Sequence, residues 1–186
     1  MISGYFNRGQ LNESLTLFHA MHLLKSGCEG FKFVVSALLY FYANCFEIEQ
    51  AKRVFDLLCE ENELLWSLML VGYVQCDLMS DALGFFNRMP TRDVVVWTTL
   101  ISGYSKRESG CEKALELFLL MREEGEVVPN EFTFDCVLRA CGRVGAVDQG
   151  RVFHGMVIRY GLEFEHLIGG ALIGFYCSCN VMGDAK

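Results

Sequence analysis

The sequence predicts an all-α protein in which short helix pairs stack into an α-solenoid. Two observations lead to this fold class. First, the sequence repeats itself along its length with periods of 31 to 37 residues, which is typical of stacked helix pairs. Second, each copy contains two stretches with helical apolar periodicity, and prolines occur only at Pro90 and Pro129.

The clearest copy spans residues 94–130. Its first half places three side chains on one helical face: Leu100, Ile101 and Tyr104. Its second half carries four apolar residues at the i, i+3, i+4, i+7 spacing of an amphipathic helix: Ala114, Leu117, Phe118 and Met121. The polar stretch between these halves contains Gly110, which predicts a turn. Because neither helix buries its apolar face alone, the copy requires neighbours.

Equivalent residues mark the other copies. Tyr42, Tyr73 and Tyr104 follow one another at intervals of 31 residues, as do Trp66 and Trp97. We therefore divide the chain into six units: 1–31, 32–62, 63–93, 94–130, 131–165 and 166–186. The first unit lacks its start and reads as a hybrid copy, and the last lacks its end. We therefore expect a fragment or a truncated member of a repeat family.

Composition limits the function classes. The net charge of −7 argues against a protein that coats nucleic acid through a basic surface. Nine cysteines without a secretory leader indicate a reducing compartment, where they remain thiols. The uncharged stretch 166–183 is near the lower length limit for a membrane span, but it contains four glycines and aligns with a first helix of the repeat. We expect no membrane span.

Catalytic and metal-binding patterns are missing from the sequence. A zinc site requires paired CxxC or Cys/His knuckles, and the closest spacings are Cys177-x-Cys179 and Cys136-x4-Cys141. Because Cys45, Cys76 and Cys179 occupy one repeat position, we expect them to pack as small apolar groups. No H-x-E pair, nucleophile elbow or phosphate-binding loop occurs. The chain is expected to be neither an enzyme nor a metal or cofactor carrier.

Four phrases resemble the pentatricopeptide repeat family: VVVWTTLISGYSK, EKALELFLLM, DALGFFNRMPTRDVVVW and GALIGFYCSCNVMGDAK. The mixed unit lengths look like the plant PLS subclass, with short repeats at 32–62 and 63–93, a P-type repeat at 94–130 and a long-type repeat at 131–165. The resemblance implies a sequence-selective binder of single-stranded RNA in mitochondria or chloroplasts, usually serving C-to-U editing. It also implies an editing deaminase or another processing protein as a partner. No targeting peptide is visible.

In that family the fifth and the last residue of a repeat read one base together, and we call them a reading pair. The resemblance gives three such pairs: Ser36 with Asn62, Ser67 with Asp93, and Thr98 with Asn130. The family's pairing rule assigns adenine to Ser or Thr with Asn, and guanine to Ser or Thr with Asp. The expected target is therefore 5′-AGA-3′, about one base per repeat.

The second residue of each repeat, which wedges between bases in the family, is apolar in five units: Phe33, Leu64, Val95, Phe132 and Leu167. Three further positions look unsuited to reading: Asp135 and Glu165, which pair two carboxylates, and Gly170, where the family usually has Asn. Three bases do not define a unique site, so we expect weak binding by this chain alone.

Alternatives remain open. The reading positions also fit ordinary solvated polar residues, whereas Trp66 and Trp97 are expected in the core because Val35 and Phe134 hold the same slot. A peptide-binding solenoid of the tetratricopeptide type is the main rival, although its 34-residue period does not match. A non-functional remnant is the third possibility. We expect the acidic residues of second helices and turns, among them Glu124 and Glu126, to lie away from the RNA groove.

Overall fold

The computed structural model describes residues 29–58 and 63–180, with side chains described for 35–56 and 63–180. Across these ranges it contains nine α-helices, one short 3₁₀ helix and no strand, which confirms the all-α prediction. In chain order they are α1 (Glu29–Asn44), α2 (Ile48–Leu58), α3 (Glu63–Gln75), α4 (Met79–Arg88), α5 (Val94–Ser105), the 3₁₀ turn (Glu108–Gly110), α6 (Cys111–Glu124), α7 (Glu131–Val144), α8 (Val147–Arg159) and α9 (His166–Ser178).

The chain divides into two compact units, Met1–Ala37 and Leu38–Lys186. Of the first unit, the description covers only the beginning of α1. In the second unit, α3, α5, α7 and α9 pack side by side in sequence order, and we call them the first-layer helices. A second layer covers them, with α4 against α3 and α5, α6 against α5 and α7, and α8 against α7. Each of α5 and α7 is thus enclosed by helices of both layers.

Local sequence explains where the first-layer helices begin and end. Asp93 caps α5, because its carboxylate accepts a 2.8 Å hydrogen bond from the backbone N–H of Val96. Asn130 caps α7 in the same way and forms a capping box with Thr133. At the other end of α7, Gly145 adopts φ 66°, a left-handed conformation that glycine adopts without strain. The caps at Asp93 and Asn130 place the starts of α5 and α7 at junctions between predicted units, whereas Gly145 ends α7 at the turn inside unit 131–165.

The core consists of the apolar stripes that the repeat pattern predicts. The four residues of the second-helix stripe in 94–130 are all buried. Trp97 is 1% exposed and packs edge-to-face on Phe86 with ring centroids 4.7 Å apart, and Trp66 is 9% exposed. The expectation that both tryptophans are core residues is confirmed. Each such buried side chain contributes about 1.5–3 kcal/mol, so the contacts between helix pairs carry the stability.

The predicted turn around Gly110 forms a 3₁₀ helix that leads directly into α6. A Cβ atom at Gly110 would lie 2.4 Å from the carbonyl oxygen of Tyr104, so only glycine fits at this position. The turn therefore packs against the end of α5 with no intervening side chain.

The cysteines only partly follow their prediction. Cys76 and Cys179 are half-buried, but Cys45 is exposed, so the expectation of a packed thiol is wrong there. All three cysteines lie in the turn that follows a helix, so this shared repeat position does not by itself determine whether the thiol is covered. Within the described ranges no three His, Cys, Asp or Glu side chains come together to hold a metal ion. None of the helices described is long and apolar enough to cross a membrane.

Candidate nucleic-acid interface

Exposed apolar side chains occur at one equivalent position of three consecutive first-layer helices. Leu64, Val95 and Phe132 are each the second residue of their helix, and each is 55–56% exposed. Leu167, at the same position of α9, is half-buried. Phe33 lies outside the residues whose side chains are described. Single exposed apolar residues are normal, but their recurrence at the same helical position of neighbouring helices marks one face of that layer.

A depression of about 480 Å³ joins five of the predicted site residues. It is lined by the reading pair Thr98 and Asn130, by the wedge residues Val95 and Phe132, by Asp135, and by other side chains of α3, α5 and α7. Cys136 also lines it, and burial raises the pKa of this thiol, which keeps it neutral. We call this the α5–α7 depression. Exposed Lys106 is a cation at its wall.

The reading pair of this depression is connected through a third residue. The Thr98 and Thr133 hydroxyl oxygens are 2.7 Å apart. The Thr133 hydroxyl also donates to Oδ1 of Asn130 at 2.9 Å, and the Thr133 backbone N–H donates to the same oxygen at 3.0 Å. The backbone N–H of Asn130 in turn donates to the Thr133 hydroxyl at 3.3 Å. Thr133 is fully buried, so it bonds to both members of the pair on the side that faces the protein core.

A second depression, also about 480 Å³, holds the pair Ser67 and Asp93. The Ser67 hydroxyl donates its hydrogen to the carbonyl oxygen of Glu63 at 3.1 Å. The hydroxyl oxygen is therefore available to a ligand only as an acceptor. One carboxylate oxygen of Asp93 accepts from Val96 in the α5 cap. The pair therefore presents only acceptors. We call this the α3–α5 depression.

The α3–α5 depression is more acidic than expected. Glu124 and Glu126 line it, so the expectation that they lie away from the groove is wrong. Arg92, which precedes Asp93, explains why the end of α6 lies here. Its guanidinium is 3.3 Å from the Glu124 carboxylate and 4.8 Å from the centre of the Phe86 ring. This pairing holds the C-terminal end of α6 beside the N-terminal end of α5.

The remaining predicted residues are not assembled into reading pairs. The Asp135 carboxylate accepts a 2.8 Å bond from Arg139, four residues on in α7, and is therefore neutralised within its own helix. Glu165 is exposed at the start of α9, and Gly170 is exposed with open space around its Cβ position. Ser36 is half-buried in α1, and its predicted partner Asn62 lies outside the described residues.

Comparison with known proteins identifies the repeat. The model of the PPR repeat family matches residues 92–143, and the model of the PPR repeat matches residues 1–25 and 65–94. Together these matches cover more than half of the chain. The chain belongs to the pentatricopeptide repeat family.

Relatives from Arabidopsis thaliana support the assignment. One pentatricopeptide repeat-containing protein is 33% identical over 165 residues, which are 89% of this chain and 19% of that protein. Another is 28% identical over 164 residues, or 88% of this chain and 16% of the relative. A third, named chloroplastic, is 27% identical over 153 residues, covering 82% of this chain and 19% of the relative. The chain thus spans less than a fifth of the length of these relatives.

Solved structures show the same fold. The crystal structure of the pentatricopeptide repeat protein PPR10 from maize matches with a TM-score of 0.67 at 18% identity, over 82% of this chain and 23% of that one. A second PPR10 structure was solved in complex with an 18-nt psaJ RNA element. It matches with the same TM-score of 0.67 over 95% of this chain and 26% of that one. This similarity confirms the predicted solenoid of stacked helix pairs.

Sequence reasoning missed one residue of this pentatricopeptide repeat, Thr133. The sequence does contain a signal for Thr133. Asn130 is followed three residues later by this hydroxyl residue, just before an apolar run, and this is the spacing of a capping box. The pattern predicts the bonds between Asn130 and Thr133. It does not predict the contact with Thr98, which comes from a different helix.

Proposed function

We propose that this pentatricopeptide repeat chain is a sequence-selective single-stranded RNA-binding module of an organellar RNA-processing factor of the plant PLS subclass, serving target recognition for C-to-U editing. In this proposal the chain performs no chemistry itself. A deaminase or another processing protein acts on the RNA that the repeats select.

The hydrogen-bonding patterns of the two depressions carry the proposal. Ser67 and Asp93 present only acceptors, which complement the N1–H and N2 amino donors of guanine. Thr98 and Asn130 have an acceptor oxygen and an amide donor available, which complement the N6 amino group and N1 of adenine. Cytosine offers a similar donor and acceptor on a smaller ring, and the family's pairing rule favours adenine. Neighbouring depressions with different patterns suit one-base-per-repeat reading.

The exposed wedge residues supply the second requirement, a surface for stacking. Bases of single-stranded RNA are unstacked, and each gains about 1–3 kcal/mol from stacking on an aromatic side chain. Phe132 stands beside Thr98 and Asn130 in the α5–α7 depression, with Val95 on the same lining. A base held at the reading pair would therefore have an apolar neighbour. The maize protein solved with an 18-nt RNA element supports RNA as the ligand class.

The organelle and the editing role rest on relatives and on repeat lengths. Several relatives are named chloroplastic or mitochondrial, and the unit lengths of 31, 35 and 37 residues match the mixed repeats of the PLS subclass. The acidic lining of the α3–α5 depression opposes phosphate binding, so base contacts and stacking must supply more of the affinity than in a basic binder.

A fluorescence anisotropy titration tests the proposal. The chain is titrated against a single-stranded RNA centred on AGA and against a scrambled RNA of the same composition, at low and at physiological ionic strength. We expect tighter binding to the AGA sequence at both ionic strengths. Equal affinity for both RNAs, or no binding to either, contradicts base reading and favours a peptide-binding solenoid or a remnant.

A further inference from the structure

We propose that Thr133 is a positioning residue for base reading at the α5–α7 depression. It belongs to the unit that follows the reading pair, and it determines which polar atoms Thr98 and Asn130 present to the base. The inference rests on the proposed function, because it assigns a role within the same site. It adds a third, buried member to a two-residue reading pair.

The first step concerns the side-chain amide of Asn130. Its Oδ1 accepts from the backbone N–H of Thr133 at 3.0 Å and from the Thr133 hydroxyl at 2.9 Å. Two donors on one oxygen fix the orientation of the amide plane. Nδ2 is then the amide atom directed away from the cap, and it donates to no other group in the described part of the chain. Asn130 therefore presents a donor to the depression.

The second step concerns the hydroxyl hydrogen of Thr98. The Thr133 oxygen lies 2.7 Å from the Thr98 oxygen, and the single Thr133 hydrogen is directed to Asn130. Only one arrangement then satisfies both hydrogens within the protein: Thr98 donates to Thr133, and Thr133 donates to Asn130. Chains of hydrogen bonds in a buried site reinforce one another. Thr98 is left with its lone pairs toward the depression and acts as an acceptor.

Burial separates the role of Thr133 from direct contact with a base. The residue has no exposed surface, and the structure describes only one other buried polar side chain, Ser105. A buried hydroxyl is costly unless it is bonded, and Thr133 makes its bonds to the reading pair and to the backbone of Asn130. Its hydroxyl therefore acts through Thr98 and Asn130.

The neighbouring junction provides a natural comparison. Val96 is the third residue of α5, as Thr133 is of α7. The Ser67–Asp93 pair therefore has no hydroxyl behind it, and Ser67 donates to its own helix instead. Because α5 begins normally with valine at this position, Thr133→Val is compatible with the fold. The same variant removes only the connecting hydroxyl, with nearly the same side-chain volume.

The test measures base preference at two positions of the same RNA. The wild-type chain, Thr133→Val and Thr133→Ser are titrated by anisotropy against AGA-centred RNAs that carry each of the four bases at the third or at the middle position. We expect Thr133→Val to lose about three- to tenfold of the preference for adenine at the third position, the effect of one or two hydrogen bonds. We expect the guanine preference at the middle position to stay unchanged, and Thr133→Ser to keep both preferences.

Two results overturn the inference while leaving the proposed function intact. One is an unchanged third-position preference in Thr133→Val. The other is an equal loss at both positions, which indicates a merely structural role. A wild-type chain without any base preference contradicts the proposed function itself, and the inference with it.

A measurement on the wild-type chain alone keeps the inference testable if Thr133→Val does not fold, as judged by circular dichroism. Inosine replaces the amino group of adenine by a carbonyl and N1 by N1–H, so it opposes a fixed acceptor at Thr98 and a fixed donor at Asn130. We expect inosine at the third position to bind as weakly as a mismatched base. Binding equal to adenosine shows that the two side chains reorient freely, and this overturns the role of Thr133.

Discussion

A Cβ atom built at Gly150 of α8 lies 2.1 Å from Cζ of Phe175 on α9. The buried Phe175 ring therefore rests directly on the backbone of the preceding helix, with no room for a methyl group. Contacts of this kind between one helix pair and the next hold a repeat array together.

The first prediction follows from this contact. Gly150→Ala forces the Phe175 ring to move within a packed core, and we expect the free energy of unfolding to fall by about 1–3 kcal/mol. Urea unfolding followed by circular dichroism measures it. Gly155→Ala on the same helix is the matched control, because its Cβ position has nothing within 4 Å. We expect the control to be stabilised by up to about 1 kcal/mol through helix propensity. Equal effects at both glycines contradict the close contact.

The second prediction concerns the middle base of the RNA. Asp93→Asn converts an acceptor-only side chain into one with an amide donor, so we expect the preference at that base to move from guanine to adenine. The cap of α5 survives because asparagine caps as well as aspartate, and the free energy of unfolding should change by less than about 0.5 kcal/mol. Anisotropy titrations with the four middle-base RNAs measure the shift. A variant that still prefers guanine refutes the reading role of Asp93.

The third prediction concerns the wedge residue Phe132. Because this side chain is 56% exposed, Phe132→Ala should change stability by less than about 1 kcal/mol. RNA binding should weaken by about 1–3 kcal/mol through lost stacking. Phe164→Ala is the control, since Phe164 is 93% exposed and does not line the α5–α7 depression. Equal losses of RNA affinity in the two variants indicate non-specific apolar binding.

Much of the fold could be predicted because helical periodicity is a local property of the sequence. The stripe from Ala114 to Met121 is buried as its i, i+3, i+4, i+7 spacing requires. Trp97 is buried as its repeat position suggests, since equivalent residues meet equivalent neighbours in a stacked array.

The lining of the candidate site could not be predicted in the same way, because it depends on contacts between distant residues. Arg92 meets Glu124 across 32 residues, and this contact holds the end of α6 beside the α3–α5 depression. Thr98 meets Thr133 across 35 residues, which depends on how α5 and α7 are rotated about their axes. Repeat spacing identifies equivalent positions but does not give these rotations or the path of a loop.

The fourth prediction uses the pKa of a buried thiol. Burial raises the pKa of Cys141 from 9.0 to about 12, with Cys179 and Cys111 adding to the shift. The unfolded thiol thus loses its proton at lower pH than the folded one, and stability falls as pH rises between these values. We expect the deprotonation of this thiol in the unfolded chain to lower the free energy of unfolding by about 1.4 kcal/mol per pH unit in this window. Urea unfolding from about pH 9 to about pH 11 measures the slope.

Cys141→Ala should flatten that slope relative to the wild type, because it removes the thiol whose pKa differs between the folded and unfolded chain. The comparison is needed because burial also raises the pKa values of Tyr42 and Tyr73, which contribute to the slope in every variant. An identical slope in the wild type and in Cys141→Ala contradicts the assigned shift.

The fifth prediction concerns the acidic lining of the α3–α5 depression. Glu126→Gln removes one negative charge beside the reading pair Ser67 and Asp93, and RNA phosphates should then approach more favourably. We expect RNA affinity to rise about two- to threefold at low ionic strength, and the gain to shrink at higher salt because exposed charges are screened. Glu123→Gln is the matched control, since Glu123 is exposed nearby without lining the depression. The same gain in both variants means that net charge alone, and not the position of Glu126, controls binding.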